Sequence, residues 1–227
     1  MKCFRCYYIF SLFLLLFNPF IGLTMAQTKP QQQYGANVYD EQAHKILKQA
    51  SSKYMNFPVS FSVVMVNKDV EKNETMRKTA KVLYKKGKYR VVFDNQELIS
   101  DGSTVWHLNK DVSEVVVSNA ISGSDDLMNP AHLLSNYDKN FKPKFIRVNP
   151  DGTLVVDLKP LKGKSYHKVR LIIDGDNYLV LRMEVHNYDS SRGEFLVSDY
   201  NLKASCKDSD FVFDVASHKG MEIIDMR

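Results

Sequence analysis

The chain has 227 residues, of which 44% are hydrophobic and 25% charged. That is the composition of a globular protein of one large domain or two small ones, and it excludes a disordered or collagen-like chain. A formal net charge of +5 is too small to make an electrostatic case for nucleic acid.

Residues 1–26 start with Lys2 and Arg5, run apolar from Tyr7 to Leu23 with Asn18 and Pro19 as interruptions, and close on Thr24 and Ala26. This order of charge, apolar stretch and small residues predicts a secretory signal peptide cleaved after Ala26. An uncleaved anchor is the alternative, although the run is near the short limit for a membrane span. Cleavage removes Cys3 and Cys6 and leaves Cys206 alone, so no internal disulfide and no cysteine-based zinc site are expected. Neither early cysteine follows a leucine-rich run as a lipid-modified cysteine would. The expectation is a soluble monomer in an exported compartment. Residues 27–38 are polar, with Pro30 and Gly35 and no periodicity, and predict a flexible leader; one domain is expected from 39 to 227.

From Asp40 the residues Ala43, Ile46, Leu47, Ala50 and Tyr54 follow helical spacing and predict an amphipathic helix of about four turns. After Pro58 the period becomes two. Phe61, Val63 and Met65 alternate with other residues, as do Ala80, Val82 and Tyr84, then Tyr89, Val91 and Phe93. Asp101-Gly102 predicts a hairpin turn before Thr104 to Leu108. Pro150-Asp151-Gly152 and Asp174 to Asn177 predict two more. About ten or eleven short antiparallel strands result, in one meander. A second helix is expected where Asn129 caps, Pro130 enters the first turn, and Leu133, Leu134 and Tyr137 form an apolar edge.

So large a sheet must bury one apolar face, and two short helices cannot cover ten strands. Either the sheet closes into a barrel around a ligand, or it stays open and strongly curved under a helical lid, or it forms a two-layer sandwich with a solid core. Motifs for chemistry are missing. The six histidines have no metal-ligand spacing, no Gly-x-Ser-x-Gly, phosphate loop or dinucleotide fingerprint occurs, and Asp125-Asp126 and Asp208-x-Asp210 read as solvated loops. No enzyme activity, catalytic residue, metal or cofactor is expected. Lys85-Lys86-Gly87-Lys88 joins two strands and reads as a hairpin tip or as a cation at a cavity mouth.

Several segments, in order, resemble the periplasmic lipoprotein carrier family of the LolA type. They are the helix ending Lys53-Tyr54, the basic turn Tyr84 to Arg90, Ser100-Asp101-Gly102-x-x-x-Trp106, and Glu114 to Val117. Asn129-Pro130 with Leu133-Leu134, Leu158-Lys159-Pro160, Asp210 to Phe213 and the closing Glu222 to Arg227 follow, the last in a form like that of Bacteroidetes-type members. The resemblance implies an open half-barrel antiparallel sheet under a lid of two or three helices. It implies a chaperone that takes acylated lipoproteins from an inner-membrane lipoprotein-releasing transporter and hands them to an outer-membrane acceptor. A carrier or sensor of another lipid on the same fold, or a secreted hydrolase using acids such as Asp101 and Glu114, are the alternatives.

On this reading the cavity lining is Phe61, Val63 and Met65, then Val82 and Tyr84, then Tyr89, Val91 and Phe93, and finally Trp106 and Leu108, with Val105 and His107 competing for the inward face. Met65, Met128 and Met183 add soft side chains. Ile46, Leu47, Leu133 and Leu134 belong to the lid. Lys86 stands where the family often has a latching arginine, with Lys85 as the alternative and Arg90 as a relocated latch.

Overall fold

The computed structural model describes residues 40–69, 74–120 and 129–227. The signal peptide, the leader, Asp125-Asp126 and Met128 lie outside these residues. Helix α1 spans Glu41–Met55 and buries the five positions its period selects, with Ser51 beside them. Asp40 caps it by accepting the Ala43 amide at 2.9 Å. Asn129 likewise accepts the Ala131 and His132 amides and starts α2, Pro130–Ser135, with Pro130 in its first turn. The expected single helix from 129 to 137 breaks at Asn136, and α3, Tyr137–Asn140, is a separate turn.

The strands are β1 (Val59–Asp69), β2 (Glu74–Lys85), β3 (Lys88–Phe93), β4 (Gln96–Ser100), β5 (Thr104–Asn109) and β6 (Glu114–Asn119). After the helices come β7 (Phe141–Val148), β8 (Leu154–Pro160), β9 (Tyr166–Ile173), β10 (Val180–Asn187), β11 (Arg192–Asn201) and β12 (Glu222–Asp225). They make one sheet in the order β12-β6-β5-β4-β3-β2-β1-β11-β10-β9-β8-β7. Two meanders are thus joined edge to edge by the antiparallel β1–β11 pair. The order ends on two different strands, so the sheet is open and not a closed barrel. The described residues hold twelve strands where ten or eleven were expected. One of them, β12, breaks the meander by running parallel to β6.

Turn chemistry sets the registers. Asp101 accepts the Ser103 and Thr104 amides at 2.8 and 2.7 Å, beside Gly102 with φ +93°, and this places Ser100 opposite Val105. Lys86 and Gly87 have φ of +48° and +86°, the pair of left-handed residues that a two-residue hairpin turn needs.

Residues paired directly across strands share a face. One face carries α1 and α2. On the other, Asp157 holds Arg170 through two bonds of 2.7 and 2.9 Å, and Arg182 bonds Glu194 at 3.2 Å. That outer face is also crossed by the chain after β11. The Ala204 amide bonds the Pro58 carbonyl, Asp208 reaches Lys85 at 3.0 Å, Phe213 enters an apolar cluster on β4 to β6, and β12 then pairs with β6.

Candidate functional site

Helices and inner face form one buried cluster. Ile46 and Leu47 of α1 and Leu133 and Leu134 of α2 belong to it together with Phe61, Val63, Val82, Tyr84, Tyr89 and Val91. Their burial follows from alternation, since Phe61, Val82, Val91 and Leu98 stand in one cross-strand row. Phe93 and Leu98 are partly buried at the rim of the cluster, and Met65, opposite Phe195, is half-buried. One step further along the row His107 is exposed. The buried cluster with the helices therefore runs from β7 through β11 and β1 to β3, and stops before β5. Beside α1 an open cleft of about 590 Å³ is lined by Glu41, Gln42, Lys45, Ile46, Leu154 and Tyr178.

Polar pins fix α1 at both ends. At the start, Asp40 uses its second carboxylate oxygen to accept the Phe145 amide of β7 at 2.8 Å. At the end, the Tyr54 hydroxyl lies 2.9 Å from that of Tyr200, and Tyr200 donates to the Val180 carbonyl at 2.7 Å. Since Tyr200 spends its proton on Val180, Tyr54 is the donor in the first bond. Burial pushes the Tyr54 phenol up to about 12 and Tyr200 well above the ordinary tyrosine value. Helical spacing assigns Tyr54 only an apolar role and misses Tyr200, which is 146 residues away.

The second helix is less well satisfied. His132 lies with its ring 5.9 Å from that of Tyr89, its Nδ1 is buried without a hydrogen-bond partner, and burial holds its imidazole below the ordinary histidine value. The Asn129 Nδ2 is also buried and unpartnered. A helix seated over two unsatisfied polar atoms is held less firmly than its apolar contacts alone would suggest.

Two expected lining residues lie elsewhere. Trp106 pairs with Ile99 and Val117, and Leu108 with Glu97 and Val115, which puts both on the outer face in the cluster with Phe213 and Met221. His107 and Val105 take the inward positions. The reason is the strap after β11, which makes the outer face of β4 to β6 apolar as well. Lys86 is exposed at the turn tip and no bond joins it to α1 or α2 among the described residues. Lys85 and Lys88 turn outward instead, 3.0 and 3.8 Å from Asp208. Arg90 also faces away from the helices and bonds Glu97 on the outer face at 3.1 Å. Glu97 also accepts from Lys110 at 2.7 Å. Its burial raises the carboxyl's pKa, but the two cations outweigh that and hold it below the ordinary value.

Among the described residues no three His, Cys, Asp or Glu side chains gather as a metal site needs, and no helix is long and apolar enough to cross a membrane. The site is an apolar interface between a sheet and helices pinned at a few polar points. Residues 83–214 match the family model described as outer membrane lipoprotein carrier protein LolA. The chain belongs to the LolA family. The LolA match takes in the basic turn, the Asp101-Gly102 hairpin, α2 and the strap as far as Phe213, and it begins after α1 and β1. A curated relative from Aeromonas salmonicida, named an outer-membrane lipoprotein carrier protein, is 27% identical over 135 residues, or 59% of this chain and 63% of that protein. The chain thus matches less than two thirds of that relative's length. An uncharacterized conserved protein from Thermus thermophilus shares the fold, with TM-score 0.57 and 12% identity over 82% of this chain and 99% of that one. A LolA superfamily protein from Nitrosomonas europaea superposes with TM-score 0.47 and 15% identity, over 76% and 98% of the two chains.

Proposed function

We propose that this chain is a periplasmic, non-enzymatic carrier that holds the acyl chains of lipoproteins between α1, α2 and the inner face of its sheet. Membership of the LolA family carries the reading, and the apolar layer under the helices supplies the physical means. Each methylene exposed to water costs roughly 0.8 kcal/mol, so a lipoprotein crossing an aqueous compartment needs such a layer. In the form described the helices are seated and the layer is filled by its own side chains. Loading requires them to lift, and the half-buried Met65, Phe93 and Leu98 give the acyl chains a surface on which the inner face continues toward β5. The cleft beside α1 marks the seam where that helix separates.

In this reading the sheet curves strongly as a half-barrel around its cargo. An inner-membrane lipoprotein-releasing transporter delivers that cargo and an outer-membrane acceptor removes it. A triacylated lipopeptide should displace an apolar dye from the protein, while the same peptide without acyl chains should not. Equal displacement by both, or by neither, would overturn the proposal.

A further inference from the structure

At the far edge of the sheet, α3 leads into β7, and the Leu161 amide bonds the Asn140 carbonyl at 2.9 Å. This closes the β7–β8 ladder beyond its last pair, Phe141 with Pro160. Lysines converge on that corner. Lys142 stands directly opposite Lys159, Lys139 precedes Asn140, and Lys162 and Lys164 follow Leu161. Asp138 is the one acid in the two short segments 138–142 and 159–164. Asp157, the next along β8, is held by Arg170 at 2.7 Å. In the middle Leu161 is 58% exposed.

Lys139, Lys159 and Lys162 are exposed beside the exposed Leu161, so one sign of charge is presented to solvent around an apolar side chain. We infer that this corner is a docking surface for a bilayer with anionic headgroups, Leu161 entering the interface while the lysines meet phosphates. The kind of residue favours a bilayer over an acidic protein. All five cations are lysines, which act as flexible point charges and are depleted from protein interfaces, and no arginine is present to make a forked bond to a carboxylate. Long lysine stems around one exposed apolar side chain suit a surface that is charged above and apolar below. Tyr188 and Met226, which are more exposed, adjoin Asp189 and Asp225 instead, and Phe57 has the single cation Lys203 over its ring. The inference goes beyond cargo binding and gives the carrier a way to rest on the membranes it serves.

Cosedimentation of the full chain with phosphatidylcholine vesicles, with and without phosphatidylglycerol, tests it. The quantity read is the gain in affinity that the anionic lipid brings, compared between variants, because the N-terminal segment with Lys2 and Arg5 is the same in all of them. This gain should fall with salt. It should drop about a hundredfold in the triple variant Lys139→Gln, Lys159→Gln, Lys162→Gln, while Leu161→Ser should weaken binding to the anionic vesicles by less than that, both with unchanged melting curves. The matched triple Lys48→Gln, Lys81→Gln, Lys219→Gln changes net charge equally and should keep it. No gain with anionic lipid, or equal loss in both triples, overturns the inference. So does corner-dependent binding to polyglutamate without binding to vesicles, which would assign the surface to an acidic protein. Soluble lipopeptide uptake does not enter this assay, so cargo binding and membrane docking can each fail alone.

Discussion

Tyr54 of α1 donates its hydroxyl proton to Tyr200 of β11 across 2.9 Å, and through Tyr200 the helix end is tied to the Val180 carbonyl. The two tyrosines are not equivalent. Tyr200→Phe strands both the Tyr54 hydroxyl and the Val180 carbonyl and should cost about 1–3 kcal/mol. Tyr54→Phe leaves the Tyr200–Val180 bond standing and should cost less. Urea denaturation gives the order, and uptake of an apolar dye should be faster in Tyr200→Phe. Equal costs would mean that the relay is not a chain. Tyrosine absorbance adds a check, since burial should keep both phenols protonated past pH 10 while the fold holds.

The seat of α2 should depend on pH. The unfolded or lifted helix titrates His132 near 6.5, whereas burial under α2 lowers the folded value. A histidine depressed in the fold favours seating fully above about pH 6.5. As pH falls below that, the lifted state takes up protons first and the preference shrinks, until the folded value is passed. Amide protection at Ala131 to Leu134, taken relative to the base-catalysed intrinsic exchange rate at each pH, should therefore fall between pH 7.5 and 5.5. His132→Phe, which keeps a ring against Tyr89, should flatten the profile; an unchanged pH dependence in that variant would remove the histidine from the account.

Trp106 is the one tryptophan in the chain, and its place beneath Phe213 and Met221 decides what its fluorescence reports. Acyl ligands under the lid should leave its emission unchanged. Phe213→Ala should shift that emission to the red and destabilise the protein by about 3 kcal/mol, as loss of a buried aromatic ring does. Quenching of Trp106 by a lipid brominated on its acyl chain would contradict the outward placement.

Within the basic turn the glycine should matter more than the lysine. Gly87 has φ +86° and open space where an alanine methyl would stand, so Gly87→Ala is opposed by backbone conformation alone, at about 1 kcal/mol. Lys86→Leu should stay within about 0.5 kcal/mol and leave lipopeptide uptake intact. Thermal melts and the dye assay check both. Impaired uptake in Lys86→Leu would restore this lysine as a latch in a conformation other than the one seen.

Local order was legible in the sequence wherever one face alone was apolar. The i, i+3, i+4 pattern of α1 selected Ala43, Ile46, Leu47, Ala50 and Tyr54, all of them buried, and Asn129-Pro130 marked the start of α2. Alternation likewise grouped Phe61, Val82 and Val91 correctly. It failed on β5, where Val105, Trp106, His107 and Leu108 offer apolar residues to both faces and the choice depends on a strap from residues 202–221. Among the described residues Lys86 makes no bond to the helices in this form, for a different reason. A two-residue turn gives its tip a left-handed backbone and leaves the side chain exposed at the end of the hairpin. Tyr200, Asp40's bond to Phe145 and the Leu161 corner arise from pairings distant in sequence, which no local pattern encodes.

The parallel pairing of β12 with β6 joins positions 222 and 114, which are separated by nearly half the chain. Until Glu222–Asp225 arrive, β6 presents an unpaired edge, and Leu108, Val115 and Val117 lack the cover of Phe213 and Met221. Loop closure over such a distance comes late in folding. The two meanders can therefore form and the helices take their seats while one border of the sheet still lies open. Glu222–Asp225 close that border, so a chain lacking them would expose a sticky edge, and proteolysis could tell it from one in which β12 is paired.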